Sequence, residues 1–539
     1  MLKPYIKHAS TTLTPAAIQT HAIQFNAPYF TPVDCAAIYN IPIPSAGQKV
    51  VGVVSLGGGL LNGTLVPTSN PSVNLFTNGD IQRYWAKMDI TDQPTICIVS
   101  VDGAVNNPNM NDNGATIENT LDVTTVGACC PTSKLTILLY LAPPTLQGFY
   151  NMFNMAINNS VTYNGITVQP SIISCSWGLP EPQAVSIATR MNNLFQIAVS
   201  RGINICCATG DNGASNGLSG LNVDFPSSSP YVVACGGTNL VCPTHNYASA
   251  TETAWVNGGG GISAVFAPPC YQARLGAPKR VTPDIAMVAD PSSGVVYCFG
   301  ADDYRAYGGT SIVAPMFAGF LAATGQTTFI NQHLYSLPAN SFHDIRSGNN
   351  GGYNADIGYD RTTGLGSING VVLNTNIRQI MGLSMSPAQL AKGSTVTLVP
   401  TISPPNATNA LFVWSSSIPS VATVSTSGAV TGLNPGISTI TASTFDGRLS
   451  ATTTVTVVSV TIKSSSNVAI TNISLARNAS YTLRVAVLPS NMSQAVTWRS
   501  NNPSCVSVTN GVLRGLTKGT AVITAQSSVG AASVTVTVR

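Results

Sequence analysis

Charged side chains are scarce in this sequence. Asp, Glu, Lys and Arg together make up 8% of the 539 residues, and there are five histidines. No phosphate-binding loop, nucleic-acid motif or metal-type cysteine spacing stands out, so the chain is not expected to bind nucleic acid. Acidification would break few ion pairs, and this composition therefore suits a protein that works in acid.

Long apolar runs are also missing. The best one, residues 135–142, is far shorter than the roughly 20 residues that span a membrane. Residues 1–8 lead into Ser/Thr-rich sequence without the apolar core of a signal peptide. The sequence therefore predicts no transmembrane segment and gives no sign of export.

The cysteines leave the redox compartment open. Those in apolar, strand-like runs are expected to be buried thiols: Cys97, Cys175, Cys206 and Cys207. Those nearer to loops could form disulfides: Cys235, Cys242, Cys270 and Cys298.

A serine at the head of an apolar stretch is the clearest candidate nucleophile. Gly308 and Gly309 precede Thr310 and Ser311 in a turn of small residues, and the following residues predict a helix. The backbone N–H groups and positive end of such a helix would stabilise a developing oxyanion. G-T-S-x-x-x-P is also the serine signature of subtilisin-like hydrolases.

The base for Ser311 is not expected to be a histidine. None of the five stands in the His-Gly-Thr context of a subtilisin-type triad: His8, His21, His245, His333 and His343. Glu118 and Asp122 are four residues apart, which places both on one face of a helix. When buried, such a pair shares a proton and one pKa rises. A third carboxylate, Asp211, follows a strand-like run in a Gly-Asp-x-Gly turn.

With these residues, the chain resembles the sedolisin family of serine-carboxyl peptidases. Further motifs stand in the family's order between about residues 30 and 380: 174–178, 225–231, 236–238, 252–255, 258–261 and 282–286. The resemblance implies an α/β, subtilisin-like fold with a mostly parallel sheet flanked by helices. It also implies an acid-active peptidase that forms an acyl-enzyme on Ser311, acting as an endopeptidase or a tripeptidyl-peptidase.

The resemblance assigns the catalytic roles residue by residue. Glu118 would be the general base, Asp122 would orient it, and protonated Asp211 would donate to the oxyanion beside the backbone N–H of Ser311. It also implies a substrate cleft bordered by five residues: Trp177, Gly178, Gly258, Gly259 and Gly260.

A calcium site is implied by the same resemblance. Asp344 and Asp360 would bind one Ca²⁺ through their side chains, and Ile345, Asp356 and Gly358 would bind it through their carbonyls. Hard oxygen ligands of this kind suit calcium.

The sequence departs from the family in two places. Ser55 stands where some members carry a glutamate that extends the acidic network, so the pH tuning is expected to differ. Members are generally made with a long prodomain, and the lead segment, residues 1–30, is expected to leave no room for one.

After the peptidase-like domain, residues 31–380, the composition shifts to Ser, Thr and Val in alternating patterns that predict β-sandwiches. The pattern around Trp414 recurs 84 residues later around Trp498. This tail resembles two bacterial Ig-like domains of the second group, predicted at residues 381–459 and 460–539.

Charge is unevenly shared. Residues 381–539 carry nine Lys or Arg and one acidic residue, a balance of +8, which leaves −4 for residues 1–380 of a chain with a total of +4. The basic tail could bind an anionic surface or glycan, although spread charges also serve solubility. Peptide or protein substrates, a monomeric state and an extracellular or surface location are expected.

Two functions of different classes remain open. The first is the acid-active, calcium-stabilised serine-carboxyl peptidase. The second is a catalytically silent scaffold that serves as a surface binding or structural protein. The four intact catalytic positions favour the peptidase.

Overall fold

The computed structural model describes residues 2–8, 13–15, 17–19, 22–25 and 28–539. The chain divides into two compact units, of which the first ends at Gln379 and the second begins at Ile380. Within the described residues, no helix combines the length and apolar character needed to cross a membrane.

A ten-stranded sheet forms the centre of the first unit. Its middle strands are parallel and its edges antiparallel. The strand Leu135–Ala142 is buried along its whole length, as expected for a parallel strand that is covered on both faces. The strands lie in the order Thr251–Ala254, Val233–Val241, Asn204–Ala208, Ile172–Cys175, Lys49–Leu56, Leu135–Ala142, Thr95–Ser100, Val73–Thr77 and Thr64–Pro67, with Ile285–Val288 beside Val233–Val241.

Helices cover both faces of this sheet and create two cores. Leu139 and Leu141 point into one core, beneath the helices Ala115–Cys129 and Val313–Thr324, while Leu138 and Tyr140 point into the other. This alternation follows from the two-residue period of a strand, and it confirms the predicted α/β fold class. The helices are Pro32–Ile38, Asp80–Lys87, Ala115–Cys129, Leu146–Asn158, Glu181–Ser200, Val313–Thr324, Ile330–Leu334 and Gly370–Asn376.

Short strands complete the first unit. Lys3–Pro4 pairs with Trp177–Pro180, which pairs in turn with Asp224–Phe225. Lys7–His8 pairs with Tyr304–Gly308. The others are Ala17–Gln19, Ala22–Gln24, Val161–Tyr163, Ile166–Val168, Gly261–Ile262, Val281–Thr282, Val295–Cys298, Phe342–His343 and Ser367–Ile368.

The second unit is all-β and repeats one design twice, as predicted. In each repeat a glycine with a φ near +80° lies against the tryptophan, Gly428 on Trp414 and Gly511 on Trp498. The first repeat contains Gly382–Ser384, Ala388–Ala391, Thr395–Thr397, Thr401–Ser403, Phe412–Ser416, Ala422–Val424, Ala429–Gly432, Gly436–Thr444 and Ser450–Lys463. The second contains Asn472–Leu475, Ser480–Thr482, Arg484–Leu488, Thr497–Ser500, Val506–Thr509, Val512–Gly515, Gly519–Gln526 and Ala531–Val538.

One strand links the two repeats. Ser450–Lys463 pairs with Gly436–Thr444 through its first part and with Arg484–Leu488 through its last five residues. The boundary predicted between residues 459 and 460 therefore lies inside a continuous strand.

All twelve cysteines are free thiols, and eleven of them are buried. The burial of Cys97, Cys175, Cys206 and Cys207 is confirmed. The possible disulfides at Cys235, Cys242, Cys270 and Cys298 are absent. Cys235 and Cys298 lie within core strands rather than in loops, and for this reason the sequence reasoning misjudged them.

Candidate active site

The turn that carries Ser311 contains a glycine at a position where a side chain would be unfavourable. The strand Tyr304–Gly308 ends directly before Gly309, whose φ of +125° is unfavourable for any residue with a side chain. A short 3-10 turn, Thr310–Ile312, then leads into the helix Val313–Thr324. Ser311 is fully buried at this junction, as the G-T-S signature predicts.

Glu118 is the hydrogen-bond partner of Ser311. The Ser311 hydroxyl donates to Glu118 Oε2 over 3.1 Å. Glu118 lies in the first turn of the helix Ala115–Cys129, with Asp122 one turn later, and both carboxyls are fully buried. The two carboxyls therefore lie on one face of a helix, as predicted, and the Ser311 hydroxyl donates to a carboxyl rather than to a histidine.

Burial of the two carboxyls changes their proton affinity. Desolvation, followed by the charge of Asp122, raises the pKa of Glu118 well above its ordinary value. Desolvation also raises the pKa of Asp122, against hydrogen bonds from Ser176 and Glu118 that lower it. Glu118 Oε1 and Asp122 Oδ2 are buried and find no partner among the other described side chains. A single proton shared by the pair would satisfy both oxygens.

Ser176 is a residue that sequence reasoning missed. Its hydroxyl donates to Asp122 Oδ1 over 2.7 Å, and it lies between the strands Ile172–Cys175 and Trp177–Pro180. The signal was its place in the family-like motif 174–178. Its side-chain role could not be assigned, because Asp122 is 54 residues away in the sequence.

Asp211 lies on the other side of the serine turn. It follows the strand Asn204–Ala208, and its Oδ1 accepts hydrogen bonds from the backbone N–H of Thr310 (2.8 Å) and from the Thr310 hydroxyl (2.9 Å). Its Oδ2 is buried and has no hydrogen-bond partner among the residues that the structure describes. Desolvation raises the pKa of Asp211 to about 6, although both bonds from Thr310 oppose the shift.

The oxygen Asp211 Oδ2 faces the position beside Gly309. A Cβ at Gly309 would lie 2.7 Å from this oxygen and would overlap the carbonyl oxygen of Tyr5. The backbone N–H of Ser311 donates to the same Tyr5 oxygen over 3.2 Å. The Ser311 N–H thus binds a peptide carbonyl, and Asp211 Oδ2 lies near the same glycine. A backbone N–H and a protonated carboxyl are the kinds of donor that an oxyanion hole uses.

The residues predicted to border the substrate cleft divide into two groups. Trp177 and Gly178 pair with Pro4 and Lys3 along the strand Trp177–Pro180, so their backbone does hold an extended segment.

The glycine run packs against the chain's own backbone. A Cβ at Gly258 would lie 3.2 Å from the Gly237 carbonyl oxygen. Cβ atoms at Gly259 and Gly260 would overlap the carbonyl oxygens of Thr209 and Arg361. The run therefore supports the turn that carries Asp211, and its contact with substrate stays a prediction.

The loops predicted to bind calcium do come together. Asp344 Oδ1 accepts a hydrogen bond from the N–H of Gly358, and its Oδ2 bonds to Arg346. Asp360 Oδ2 accepts from the N–H of Asp356. Among the described residues, no group of three or more His, Cys, Asp or Glu side chains is arranged to hold a metal ion. Carboxylate oxygens are hard ligands of the kind that calcium prefers, and the calcium site stays a prediction.

Family comparisons agree with this architecture. Residues 150–332 match the subtilase family, and residues 381–457 and 456–538 match the bacterial Ig-like domain (group 2). A solved structure of Pseudomonas sedolisin, described as a serine-carboxyl proteinase complexed with two molecules of pseudo-iodotyrostatin, superposes with a TM-score of 0.54. That match has 24% identity and covers 64% of this chain and 96% of the sedolisin chain. It shows the fold.

Curated relatives extend the similarity to the sequence. Kumamolisin of Bacillus sp. (strain MN-32) is 36% identical over 374 residues, which are 64% of this chain and 63% of kumamolisin. Sedolisin of Pseudomonas sp. (strain 101) is 28% identical over 419 residues, 70% of this chain and 65% of sedolisin. The chain therefore spans somewhat less than two thirds of the length of these relatives. The first unit is thus similar to members of the sedolisin family, and two segments of the second unit match the bacterial Ig-like domain (group 2).

Proposed function

We propose that the chain is a serine-carboxyl peptidase in which Ser311 is the nucleophile and Glu118 the general base. The observation that carries this proposal is the 3.1 Å hydrogen bond from the Ser311 hydroxyl to a buried carboxyl, beside a peptide carbonyl held by the Ser311 N–H. A nucleophile, a base bonded to it and an oxyanion donor are the three parts that acyl transfer needs.

The first half of the reaction forms the acyl-enzyme. Ser311 Oγ attacks the carbonyl carbon of the substrate while its proton passes to Glu118, and the carbonyl oxygen becomes negative. The Ser311 N–H and the protonated Asp211 carboxyl donate to this oxygen. Glu118 then gives its proton to the departing amine nitrogen, and the C–N bond breaks.

Water completes the cycle. It attacks the ester carbon, passes its proton to Glu118, and the proton returns to Ser311 Oγ as the acid product leaves. Asp122 spreads the charge that Glu118 gains and loses, and the Ser176 hydroxyl fixes the orientation of Asp122.

The preference of the proposed activity for acid follows from Asp211. A carboxyl donates a hydrogen bond only in its protonated form, and burial raises the pKa of Asp211 to about 6. Activity should therefore be highest below that pH and fall above it. Ser55 stands where some members of the family carry a glutamate, so in this chain burial and the charges of Asp122 and Asp211 raise the pKa of Glu118.

The test is hydrolysis of a mixed peptide library between about pH 3 and 8. The wild type should cut in acid, while Ser311→Ala should lose on the order of 1000-fold or more in rate with an unchanged circular dichroism spectrum. Ser200→Ala, on the exposed end of the helix Glu181–Ser200, is the matched control and should keep full activity. Product lengths distinguish an endopeptidase from a tripeptidyl-peptidase.

A silent scaffold is the alternative outcome of that test. If the folded wild type cuts nothing at any pH, the peptidase proposal is wrong. The Ser311–Glu118 bond and the free Asp211 oxygen favour the enzyme, because a scaffold has no need to keep them.

Calcium belongs to the same proposal. Asp344, Asp360 and the carbonyls of Ile345, Asp356 and Gly358 would hold one ion, which would fix the loop that follows Phe342–His343. The ion would supply structural stability and take no part in the chemistry at Ser311.

Partners and location stay predictions. Peptide or protein substrates follow from the proposed chemistry. An anionic surface or glycan as partner of the basic Ig-like tail, a monomeric state and an extracellular or surface location rest on charge and domain type alone.

A further inference from the structure

The second repeat of the all-β unit carries a polar groove on its outer face. The volume of the groove is about 710 Å³, which lies within the range of roughly 300–1,000 Å³ that is usual for ligand sites. Every lining residue is polar, and one of them is charged. The lining residues are Thr497, Arg499, Ser500, Asn501, Thr524 and Gln526.

The two-residue period of the strands places these side chains outside. Thr497–Ser500 is the edge strand of a four-stranded sheet and pairs antiparallel with Gly519–Gln526. Arg499 lies opposite Thr524 in this pairing. Trp498 packs against the core of the repeat. Because neighbouring side chains of a strand point to opposite faces, Arg499 faces solvent.

Two hydrogen-bond donors in the groove are unused. Arg499 is exposed, and its guanidinium has no hydrogen bond or ion pair with any residue that the structure describes. The side chain of Asn501 is held by its Oδ1, which accepts the backbone N–H of Val522 over 2.7 Å. Its NH₂ group donates to none of the described residues. Both groups are therefore free to donate to a ligand.

The charge of Arg499 faces no acidic side chain of its own repeat. The sequence contains one acidic residue after position 380, Asp446. That residue belongs to the first repeat, where it is buried and accepts a hydrogen bond from the Thr444 hydroxyl. A cation in a concave site without a counter-charge attracts anions, because the walls of the site concentrate its field.

The first repeat shows that the fold does not need these groups. Ser415 takes the place of Arg499, since each follows the tryptophan of an edge strand and lies opposite a threonine. Ser417 takes the place of Asn501 two residues later. The same strands therefore form with serine at both positions, and the arginine and asparagine of the second repeat call for a role other than folding.

We propose that this groove binds an acidic saccharide whose sugar units carry carboxylates. The proposal narrows the anionic partner predicted for the basic tail to one site and one chemical class, and it does not depend on the peptidase activity. The planar guanidinium of Arg499 would donate two parallel hydrogen bonds to a carboxylate. The NH₂ group of Asn501 would donate to the same sugar unit.

The rest of the lining favours a sugar over a more highly charged ligand. A polyphosphate or a densely sulfated chain would need several cations, whereas the groove has one. The hydroxyls of Thr497 and Thr524 and the amide of Gln526 can each donate and accept hydrogen bonds, as sugar hydroxyls do. A uronic acid presents the matching set, with one carboxylate and several hydroxyls in each unit.

The test measures binding of trigalacturonate to the full chain. The parent protein is Ser311→Ala, so that hydrolysis cannot interfere, and calorimetry is carried out at about pH 7 and about 0.15 M salt. We expect the oligomer to bind. Its trimethyl ester keeps the hydroxyls but lacks the charges, and it should bind about tenfold more weakly or worse.

Variants of the arginine locate the site. Adding Arg499→Ala should weaken binding about tenfold or more. Arg499→Lys should weaken it less, because the charge remains while the two-pronged geometry is lost. Arg514→Ala is the matched control, since this exposed arginine lies in the strand Val512–Gly515 of the other sheet and its removal takes away the same charge. It should leave the affinity unchanged within about twofold.

Each other outcome overturns the proposal in its own way. If Arg499→Ala binds as well as the parent, or if Arg514→Ala weakens binding equally, the charge of the tail acts without this site and only the anionic partner stands. If the chain binds phosphatidylglycerol vesicles and not the oligomer, the partner is a membrane surface. If it binds neither, both the site and the anionic partner are rejected. The peptidase proposal is tested on the unmutated serine and is unaffected by these results.

Discussion

At the scale of single residues, Gly309 decides what the serine turn can do. Its φ of +125° and the overlap that a Cβ would make with the Tyr5 carbonyl oxygen exclude any larger residue. The residue types of the site could be predicted, because Ser311, Glu118, Asp122 and Asp211 lie in recognisable motifs. Ser176 could not, because a buried serine has no local signature and its partner lies far away in the sequence.

The pH dependence belongs to one residue, Asp211. Its pKa of about 6 means that the oxyanion donor is present below that pH and lost as the pH rises through it. Asp211→Asn keeps an acceptor for Thr310 and places an NH₂ group where Oδ2 stood. The variant should stay active in acid and should no longer lose activity between pH 6 and 8, whereas Asp211→Ala should lose about 100-fold in acid, where the wild-type carboxyl is protonated.

The pH dependence of the wild type and of the two Asp211 variants is measured as the rate of peptide hydrolysis at half-unit pH steps. A fall above pH 6 that persists in Asp211→Asn would assign the loss to another group and contradict the prediction.

At the scale of elements, sequence pattern was sufficient where an element carries its own periodicity. The Glu118–Asp122 spacing predicted their shared helix correctly, and the alternating patterns after residue 380 predicted short strands. The strands Lys3–Pro4 and Lys7–His8 could not be predicted, because two residues have no period. These strands form only because the edges at Trp177 and at Tyr307 lie close together in the fold.

The calcium loop is an element that can be tested separately. A ligand that binds only the folded state stabilises it by about 2.7 kcal/mol when its concentration is 100 times its dissociation constant. Replacing calcium by a chelator should therefore lower the melting temperature of the wild type. Asp344→Ala should remove this difference, because one of the two carboxylates is gone.

A matched control for this loop exists elsewhere in the chain. Asp303 pairs with Arg305 across two residues, as Asp344 pairs with Arg346. Asp303→Ala removes the same kind of ion pair and should leave the calcium-dependent shift intact. Equal melting temperatures of the wild type in calcium and in chelator would reject the site.

At the scale of the whole molecule, few charges are exposed while the first unit buries several carboxyls. Burial raises the pKa of each of them above its ordinary value: Glu118, Asp122, Asp211, Asp224 and Glu252. Asp284 is also buried, but it differs from these carboxyls because it forms a two-pronged ion pair with Arg280. The folded unit therefore binds protons that the unfolded chain would release.

Stability should accordingly fall as the pH rises, which is opposite to the usual effect of salt-bridged carboxylates. Where a folded-state pKa is raised, the native state holds more protons than the unfolded state between the two pKa values, and the free energy of unfolding drops across that window. For Asp211 the window runs from 3.8 to about 6, and at 1.36 kcal/mol per pKa unit its share is about 3 kcal/mol. Asp224, with a pKa of about 7, extends the window upward.

The free energy of unfolding can be compared at pH 4.5 and 7.5 by urea unfolding of Ser311→Ala, which cannot digest itself. Ellipticity at 222 nm reports the first unit, because every α-helix described lies before residue 380. The midpoint should be lower at pH 7.5, and adding Asp211→Asn should narrow the difference, since an amide has no proton to lose. Asp102 is exposed and has a φ of +53°, which asparagine also adopts. Adding Asp102→Asn instead should leave the difference between the two midpoints unchanged. Equal midpoints at the two pH values would mean that water reaches these carboxyls in the folded protein, and the acid preference would then have to arise from the reaction alone.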